Sequence, residues 1–324
     1  MRVRGGSVDR AGRSRAIGLL LGVGLDVVFA DPRRGHPVAG FGGAAARLEK
    51  RIYGDSRARG AVFTGLCVGT VAALGVLAER RRHPVVRCLL TAGTTWAVLG
   101  GTSLAREGTI MARHLEEGDL DAARARLSHL CARDPSGLDA DALARATVES
   151  LAENTGDAVV SPLLWGAVAG IPGLVAYRAV NTLDAMVGYR SVRYERFGWA
   201  SARLDDLANW VPARITGLLT VLAAPSVAEN GARKAVAESW RVLRRDGARH
   251  PSPNAGRCES AAAGALGVRL GGANSYGGSL EIRPELGDGG KPRVKDVRRA
   301  VRLSRAVTAG AALTAALLAL RGRG

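Results

Sequence analysis

The residues of this chain that could do chemistry fall into a few short blocks. Glu149, Glu153 and Asp157 are spaced four apart, so a continuous helix would place three carboxylates on one face. Carboxylates that close repel one another, and arginines or a divalent cation would relieve the repulsion. Mg2+ takes such hard oxygen ligands, usually one or two carboxylates together with a substrate phosphate. On spacing alone, the same triad could equally be a solvated acidic helix end. Arg178, Asn181 and Asp184 recur at i, i+3 and i+6, close to one helical face, directly after an apolar segment. An ionisable group at membrane depth is costly and usually functional, the alternative being a simple interfacial pair of Arg178 with Asp184. Tyr189, Arg190, Arg193 and Tyr194 follow and could hold phosphate. Arg203, Asp205, Asp206, Asn209 and Arg214 repeat the theme, with Asn209 three residues from Asp206 and four from Asp205; the bland alternative is ordinary pairing on a helix surface.

Two further blocks lie nearer the ends. Asp26 is followed by DPRRGHPV at 31–38, where Asp31 can cap the chain as it leaves the membrane and His36 is a proton carrier near neutral pH. HPSPNAG at 250–256 leads through Glu259 into GVRLGGANSYGG at 267–278, which reads as a turn, a short helix and a glycine loop. Glycine lets backbone come close to an anion. No phosphate-binding loop of the G-x-x-x-x-G-K-[ST] kind occurs in the chain.

The elements that must position these blocks are apolar. Segments 61–78 and 88–105 are each 18 residues without a charge, long enough to span a bilayer. Segments 16–30 and 306–320 are shorter candidates. Segment 158–177 is interrupted by Pro162, Gly166, Gly170, Pro172 and Gly173, which predicts a broken or re-entrant pair of helices turning near Ile171-Pro172-Gly173. Segment 211–228 is interrupted by Arg214 and Pro225. Between 106 and 157 the chain reads as a helical loop, with Asp119 capping one helix. Residues 229–305 read as a polar, glycine-rich loop region, and their basic end at 291–305 suits anionic lipid headgroups. The expected fold is all-α: one polytopic integral membrane domain over 1–324, with broken or re-entrant helices and helical cytoplasmic loops. Two crossings followed by a re-entrant pair would keep 31–60, 106–157 and 178–210 on one side of the membrane, where the blocks can share a site.

Composition narrows the partners. The net charge is +17 and the mean hydropathy is +0.05, an average over charged clusters and apolar runs. Only four of the 46 basic residues are lysines, at 50, 234, 291 and 295. Arginine is the better fork for phosphate and carboxylate. With four Phe, five Tyr and five Trp and no nucleic-acid motif, the surplus does not point to nucleic acid. Cys67, Cys88, Cys131 and Cys258 have neither disulfide nor zinc spacing.

ENTGD at 153–157, AYRAVNTLDAMVGYR at 176–190, FGWASARLDDLANWVPAR at 197–214, the 26–38 block and HPSPNAGRCESAAAGALGVRLGGANSYGG at 250–278 together resemble the adenosylcobinamide-phosphate synthase family of cobamide assembly. The resemblance runs in order over roughly 20–290. At Arg257, Cys258, Ala273 and Ser275 the chain departs from that pattern. The resemblance implies a multi-pass protein of the cell membrane. It implies an ATP- and Mg2+-dependent ligase that joins the free propionate of adenosylcobyric acid to the amine of 1-aminopropan-2-yl phosphate or ethanolamine phosphate. Other membrane enzymes of cobamide assembly are implied as partners. On that reading Glu153, Asp157, Asp184 and Asp206 are the catalytic candidates, with Glu153 and Asp157 holding Mg2+. His36, Arg178, Asn181, Tyr189, Arg203, Asn209, Asn254 and Asn274 are the substrate-binding candidates. The alternative is a polytopic transporter of an anionic or corrinoid solute, since broken helices with polar flanks also fit transport.

Overall fold

The structure, a computed structural model, describes residues 5–322 apart from 33, 82, 190, 277 and 278; for 5–10, 274–276 and 279–281 it describes backbone only. Twelve α-helices and one hairpin are described: α1 (Gly5–Phe29), α2 (Pro37–Ile52), α3 (Arg57–Glu79), α4 (Pro84–Val98), α5 (Gly101–Glu116), α6 (Leu120–Leu127), α7 (Ala140–Thr155), α8 (Ser161–Leu183), α9 (Trp199–Ala223), α10 (Ala232–Asp246), α11 (Ala255–Leu266), β1 (Leu270–Tyr276), β2 (Ser279–Leu286) and α12 (Val294–Arg321). Among the described residues five helical stretches are long and apolar enough to cross a membrane: Arg57–Glu79, Pro84–Glu116, Ala140–Gly188, Trp199–Val227 and Val294–Arg321. Their outward faces are apolar. Leu66, Leu74, Leu77, Leu89, Leu207, Leu222 and Leu313 are each exposed by half or more, which suits hydrocarbon rather than water. The chain is a helical, polytopic membrane protein, as its apolar runs predict, but the run at 88–105 is not one helix: α4 ends at Val98, Leu99 is extended and α5 starts anew at Gly101.

The contacts divide the chain into two units. The first holds Met1–Gly100, Asp157–Asn209 and Ala311–Gly324. In it α1 lies along α4. Gly18 and Gly22, one turn apart, leave room for Thr91 and Thr95, with which any Cβ at those positions would collide; small residues at such spacing let membrane helices approach closely. A second core forms around Phe63, Phe197, Leu183 and Val187.

The predicted break in α8 falls at Gly170, with φ +67° and ψ −148°, a conformation open to glycine alone. The two legs fold back on each other, since Gly166 faces Leu174 and Gly173 faces Trp165 and Ala169. Both new helix ends are satisfied by charged side chains. Glu79 accepts from the Ile171 N–H at 2.7 Å, and Arg15 donates to the carbonyls of Ala167 and Val168 at 3.2 and 3.5 Å. Glu79 also pairs with Arg15 at 3.2 Å and Arg87 at 3.0 Å. A carboxylate at a helix N-terminus and a guanidinium at a C-terminus also suit the helix dipole.

The second unit holds Gly101–Gly156 and Trp210–Gly310. Its core gathers Met111, Leu127, Leu143, Leu151, Ala263, Leu270, Leu286 and Val297. Asp119 caps α6 by accepting from Ala122 N at 3.0 Å, as predicted, and Asp139 caps α7 in the same way at 2.8 Å. Residues 229–305 are more ordered than a glycine loop. They hold α10, α11, the antiparallel β1–β2 hairpin and the start of α12. The arginines of α10 mask a buried stripe of Ser239, Val242, Leu243 and Asp246 at helical spacing. Asp246 fixes the hairpin by accepting from Gly287 N at 2.9 Å. Hydrogen bonds from Arg245 hold its carboxyl at about 2.

Candidate active site

Two arms of hydrogen bonds converge on Asp205 in the first unit. On one, Tyr177 and Ser161 donate their hydroxyls to Asn209 Oδ1 at 2.8 and 2.7 Å. The Asn209 amide then donates to Asp205 Oδ2 at 3.0 Å. On the other, Arg178 donates to Asn181 Oδ1 at 3.4 Å, and the Asn181 amide donates to Asp205 Oδ1 at 3.5 Å. Both amides are thereby fixed in orientation, each accepting on its oxygen and giving on its nitrogen. Asp184 and Asp206 add their charges beside Asp205. Tyr177, Ser161 and Asn209 are all buried.

The local sequence explains the arms. Tyr177, Asn181 and Asp184 stand at i, i+4 and i+7 of α8 and the turn after it, one face of a helix. Asp205 and Asn209 are one turn apart on α9. Two π-turns bracket α8, Gly156–Val160 and Asp184–Gly188. Each holds a candidate carboxylate, Asp157 or Asp184, and widened turns of this kind re-aim side chains at functional sites. Tyr177 Oη reaches the Asp157 carbonyl at 3.2 Å. Asp31 and Asp157 act electrostatically on the Arg178 guanidinium, and around Gly100 both Arg178 Nη2 and Asp31 Oδ2 come within 4.0 Å of where a Cβ would sit. His36 joins through Asp31, 3.3 Å from its Nε2, while its Nδ1 accepts from Val38 N and caps α2. Beside Arg178 opens a cavity of about 500 Å³, walled by apolar side chains such as Leu74, Leu90, Val98 and Val175. Apolar walls keep water from the guanidinium and strengthen its hold on an anion.

Seven of the expected residues therefore meet here: His36, Asp157, Arg178, Asn181, Asp184, Asp206 and Asn209. Asp31, Ser161 and Tyr177 join them without having been singled out as site residues. Asp205 displaces its neighbour Asp206 as the hydrogen-bonded centre. Arg203 is exposed and acts on Asp206 as a nearby charge. Tyr189 is 55% exposed and edge-on to Tyr194 at 5.2 Å between ring centres. Arg33, Arg190 and the side chain of Asn274 lie outside the described residues.

Glu153 and Asn254 belong to the second unit and to a different cluster. The helix that carries Glu149 and Glu153 gives way to the π-turn at Gly156, which holds Asp157. Among the described residues no group of three or more His, Cys, Asp or Glu side chains is arranged to hold a metal ion. In the second cluster Glu149 accepts from Arg133 at 2.6 Å and from Gly271 N at 2.7 Å, tying α7 to the hairpin. Glu259 is fully buried, 3.9 Å from His250 Nε2. Asn254 is buried at the start of α11. Burial, then the charges of Glu149 and Glu153, push the Glu259 carboxyl well above the usual carboxylate range.

In the unfolded chain Glu259 ionises near 4.5; in the fold it keeps its proton to higher pH. Its contribution to stability is therefore fully present below that value and is lost as pH rises toward its own raised one. Glu259→Gln stays neutral throughout. It should flatten the fall in melting temperature of the detergent-solubilised protein as pH rises above the usual carboxylate range. An equally steep fall in the variant would place the titrating group elsewhere.

The chain is thus a largely helical membrane protein with an arginine–amide–carboxylate cluster against a broken helix. More narrowly, the chain belongs to the CobD/Cbib protein family, which matches residues 19–304. A cobalamin biosynthesis protein CobD of Mycobacterium tuberculosis (strain ATCC 25618 / H37Rv) is 56% identical over 314 residues, 96% of this chain and 98% of the relative. One of Geobacter metallireducens is 45% identical over 281 residues, 85% and 87% of the two chains. One of Rhodobacter capsulatus is 41% identical over 320 residues, 93% and 96%. No solved structure matches the chain.

Proposed function

We propose that this protein acts in cobalamin biosynthesis as the amide-forming ligase that its motifs resemble. It would join adenosylcobyric acid to an aminoalcohol phosphate, 1-aminopropan-2-yl phosphate or ethanolamine phosphate, to give adenosylcobinamide phosphate in the cell membrane. The carrying observation is the convergence of both amide arms on Asp205 next to a sheltered arginine, in a chain of this family. An amide-forming site needs a cation for the phosphate, an acceptor for the amine proton, and donors that hold both in place. Arg178 supplies the first. Its fork is one helical turn from Asn181, with the charges of Asp31 and Asp157 nearby. Asp205 supplies the second, with Asn181 and Asn209 fixing its two oxygens. Tyr177 and Ser161 lock Asn209. His36, backed by Asp31, stands where it could pass a proton onward.

ATP and Mg2+ would supply the driving force and the neutralisation of phosphate oxygens. Mg2+ held by one or two carboxylates and substrate phosphate would find oxygen donors in Asp184 and Asp205. The transport reading loses its main support at Gly170. In a transporter the ends of a broken helix point at the solute; here Glu79 and Arg15 occupy them. The direct test is incubation of the purified protein in detergent with adenosylcobyric acid, aminopropanol phosphate and Mg-ATP, followed by mass spectrometry of the corrinoid. Product that depends on all three supports the reading, and unchanged adenosylcobyric acid overturns it.

A further inference from the structure

A second polar cavity, of about 380 Å³, lies within the second unit, between α5 and α12. It is lined by Arg106 and Arg113 of α5, with Thr102 and Thr109 on the same face, and by Arg298 and Arg305 of α12. The arginines of each helix are seven residues apart, so they stand on one stripe about 10 Å apart along the axis. The helices run antiparallel here. Glu116 grips Arg298 through two bonds of 2.5 Å, and Gly108 faces Val301. That register sets Arg113 level with Arg298 and Arg106 level with Arg305. No carboxylate is paired with Arg106, Arg113 or Arg305 among the described residues, and all four arginines are exposed. The groove therefore carries a net positive charge that its own walls do not neutralise.

Its depth is set by the sequence. Arg106 follows directly on the apolar run ending at 105, and Arg305 directly precedes the run beginning at 306. α5 begins only at Gly101, after the break at Leu99–Gly100; the apolar residues next to Arg106 and Arg305 would put these two at the hydrocarbon edge, with Arg113 and Arg298 one to two turns farther out. The geometry points to a binding site for a phosphate-bearing lipid headgroup, preferentially one with two phosphates. One phosphate would rest between Arg106 and Arg305 and the other at Arg113, with Arg298, whose Nε and Nη2 are held by Glu116, forming the wall beside it. Arginine forks grip phosphate oxygens in pairs, and basic pockets between membrane helices take such headgroups. A free nucleotide has the same phosphate chemistry, but no aromatic ring lines the groove to stack a base. This inference is independent of the ligase reading and shares no residue with the Asp205 cluster.

The test is native mass spectrometry of the full chain in detergent, titrated with cardiolipin, phosphatidylcholine, pyrophosphate and ATP. Cardiolipin should bind at least about tenfold more tightly than phosphatidylcholine. The double variant Arg106→Gln/Arg305→Gln should lose about tenfold in cardiolipin affinity, and each single variant about threefold. Arg302→Gln, an exposed arginine of α12 outside the groove, should change nothing. All variants should elute as the native protein does, and the single variants carry the test if the double variant does not. Equal cardiolipin affinity in the arginine variants and the parent would overturn the site. Displacement of bound cardiolipin by equimolar pyrophosphate or ATP would overturn the lipid assignment and give the groove to a soluble phosphate.

Discussion

Replacement of Asp205 by Asn should lower kcat of the ligation by about a hundredfold to ten-thousandfold while leaving the protein folded. Asparagine keeps the shape of the side chain but cannot take a proton, and it meets the Asn181 and Asn209 amides with a donor of its own. Asp206→Asn, one residue on, should stay within about tenfold, because Asp206 lies outside the two arms. Steady-state kinetics with each substrate varied would separate them. A loss carried by kcat points to an interaction made as the bond forms, whereas a loss carried by KM points to uniform binding. Equal effects at 205 and 206 would refute the centring on Asp205. Arg178→Lys belongs to the same series. Lysine keeps the charge but not the fork, so a phosphate-holding arginine should lose nearly as much to Lys as to Ala.

The second large effect is expected at the break in α8. Gly170→Ala forces a side chain into a backbone conformation that costs it about 1–3 kcal/mol, and its Cβ would collide with the Glu79 carboxylate. Displacing Glu79 releases the Ile171 N–H and disturbs the pairs to Arg15 and Arg87. A charged hydrogen bond of this kind is worth about 1.5–3 kcal/mol. Together these should remove about 3–5 kcal/mol, read as a large fall in melting temperature and in the yield of monodisperse protein. Ala169→Gly, one residue away, should be mild by comparison. A normal melting temperature for the Gly170 variant would mean that the legs of α8 do not depend on this turn.

Much of this architecture is legible from the residues alone. Uncharged runs of 18 residues announce membrane helices, and the Pro and Gly positions in 158–177 announce a break. The three-residue spacing of Arg178, Asn181 and Asp184 announces one polar face, and Asn209, three and four residues after Asp206 and Asp205, announces another. The choice between Asp205 and Asp206 is not legible that way. Neighbours on a helix differ by roughly 100° in direction, so only the facing side of α9 decides. In a soluble protein its leucines would mark the inside. Here Leu207 is 72% exposed and the small Ala208 is buried, so the large apolar residues mark the lipid side and the small ones the interior. The π-turns were hidden for a related reason: one extra residue per turn leaves no signature in apolar spacing, yet it ends the face expected of Glu149, Glu153 and Asp157. Glu79 and Arg15 are too far from Gly170 in sequence to be connected with it by pattern.

The scarcity of lysine has a chemical consequence. A ligase that makes an electrophilic carboxylate and offers it to an amine is exposed to attack by its own amines. The cluster around Asp205 contains none: its cation is the guanidinium of Arg178, which stays protonated and is a poor nucleophile. Of the four lysines, only Lys50 belongs to the first unit, exposed on α2. On the proposed ligase reading, an arginine-only site would hold phosphate without competing with the incoming aminoalcohol for the acyl group.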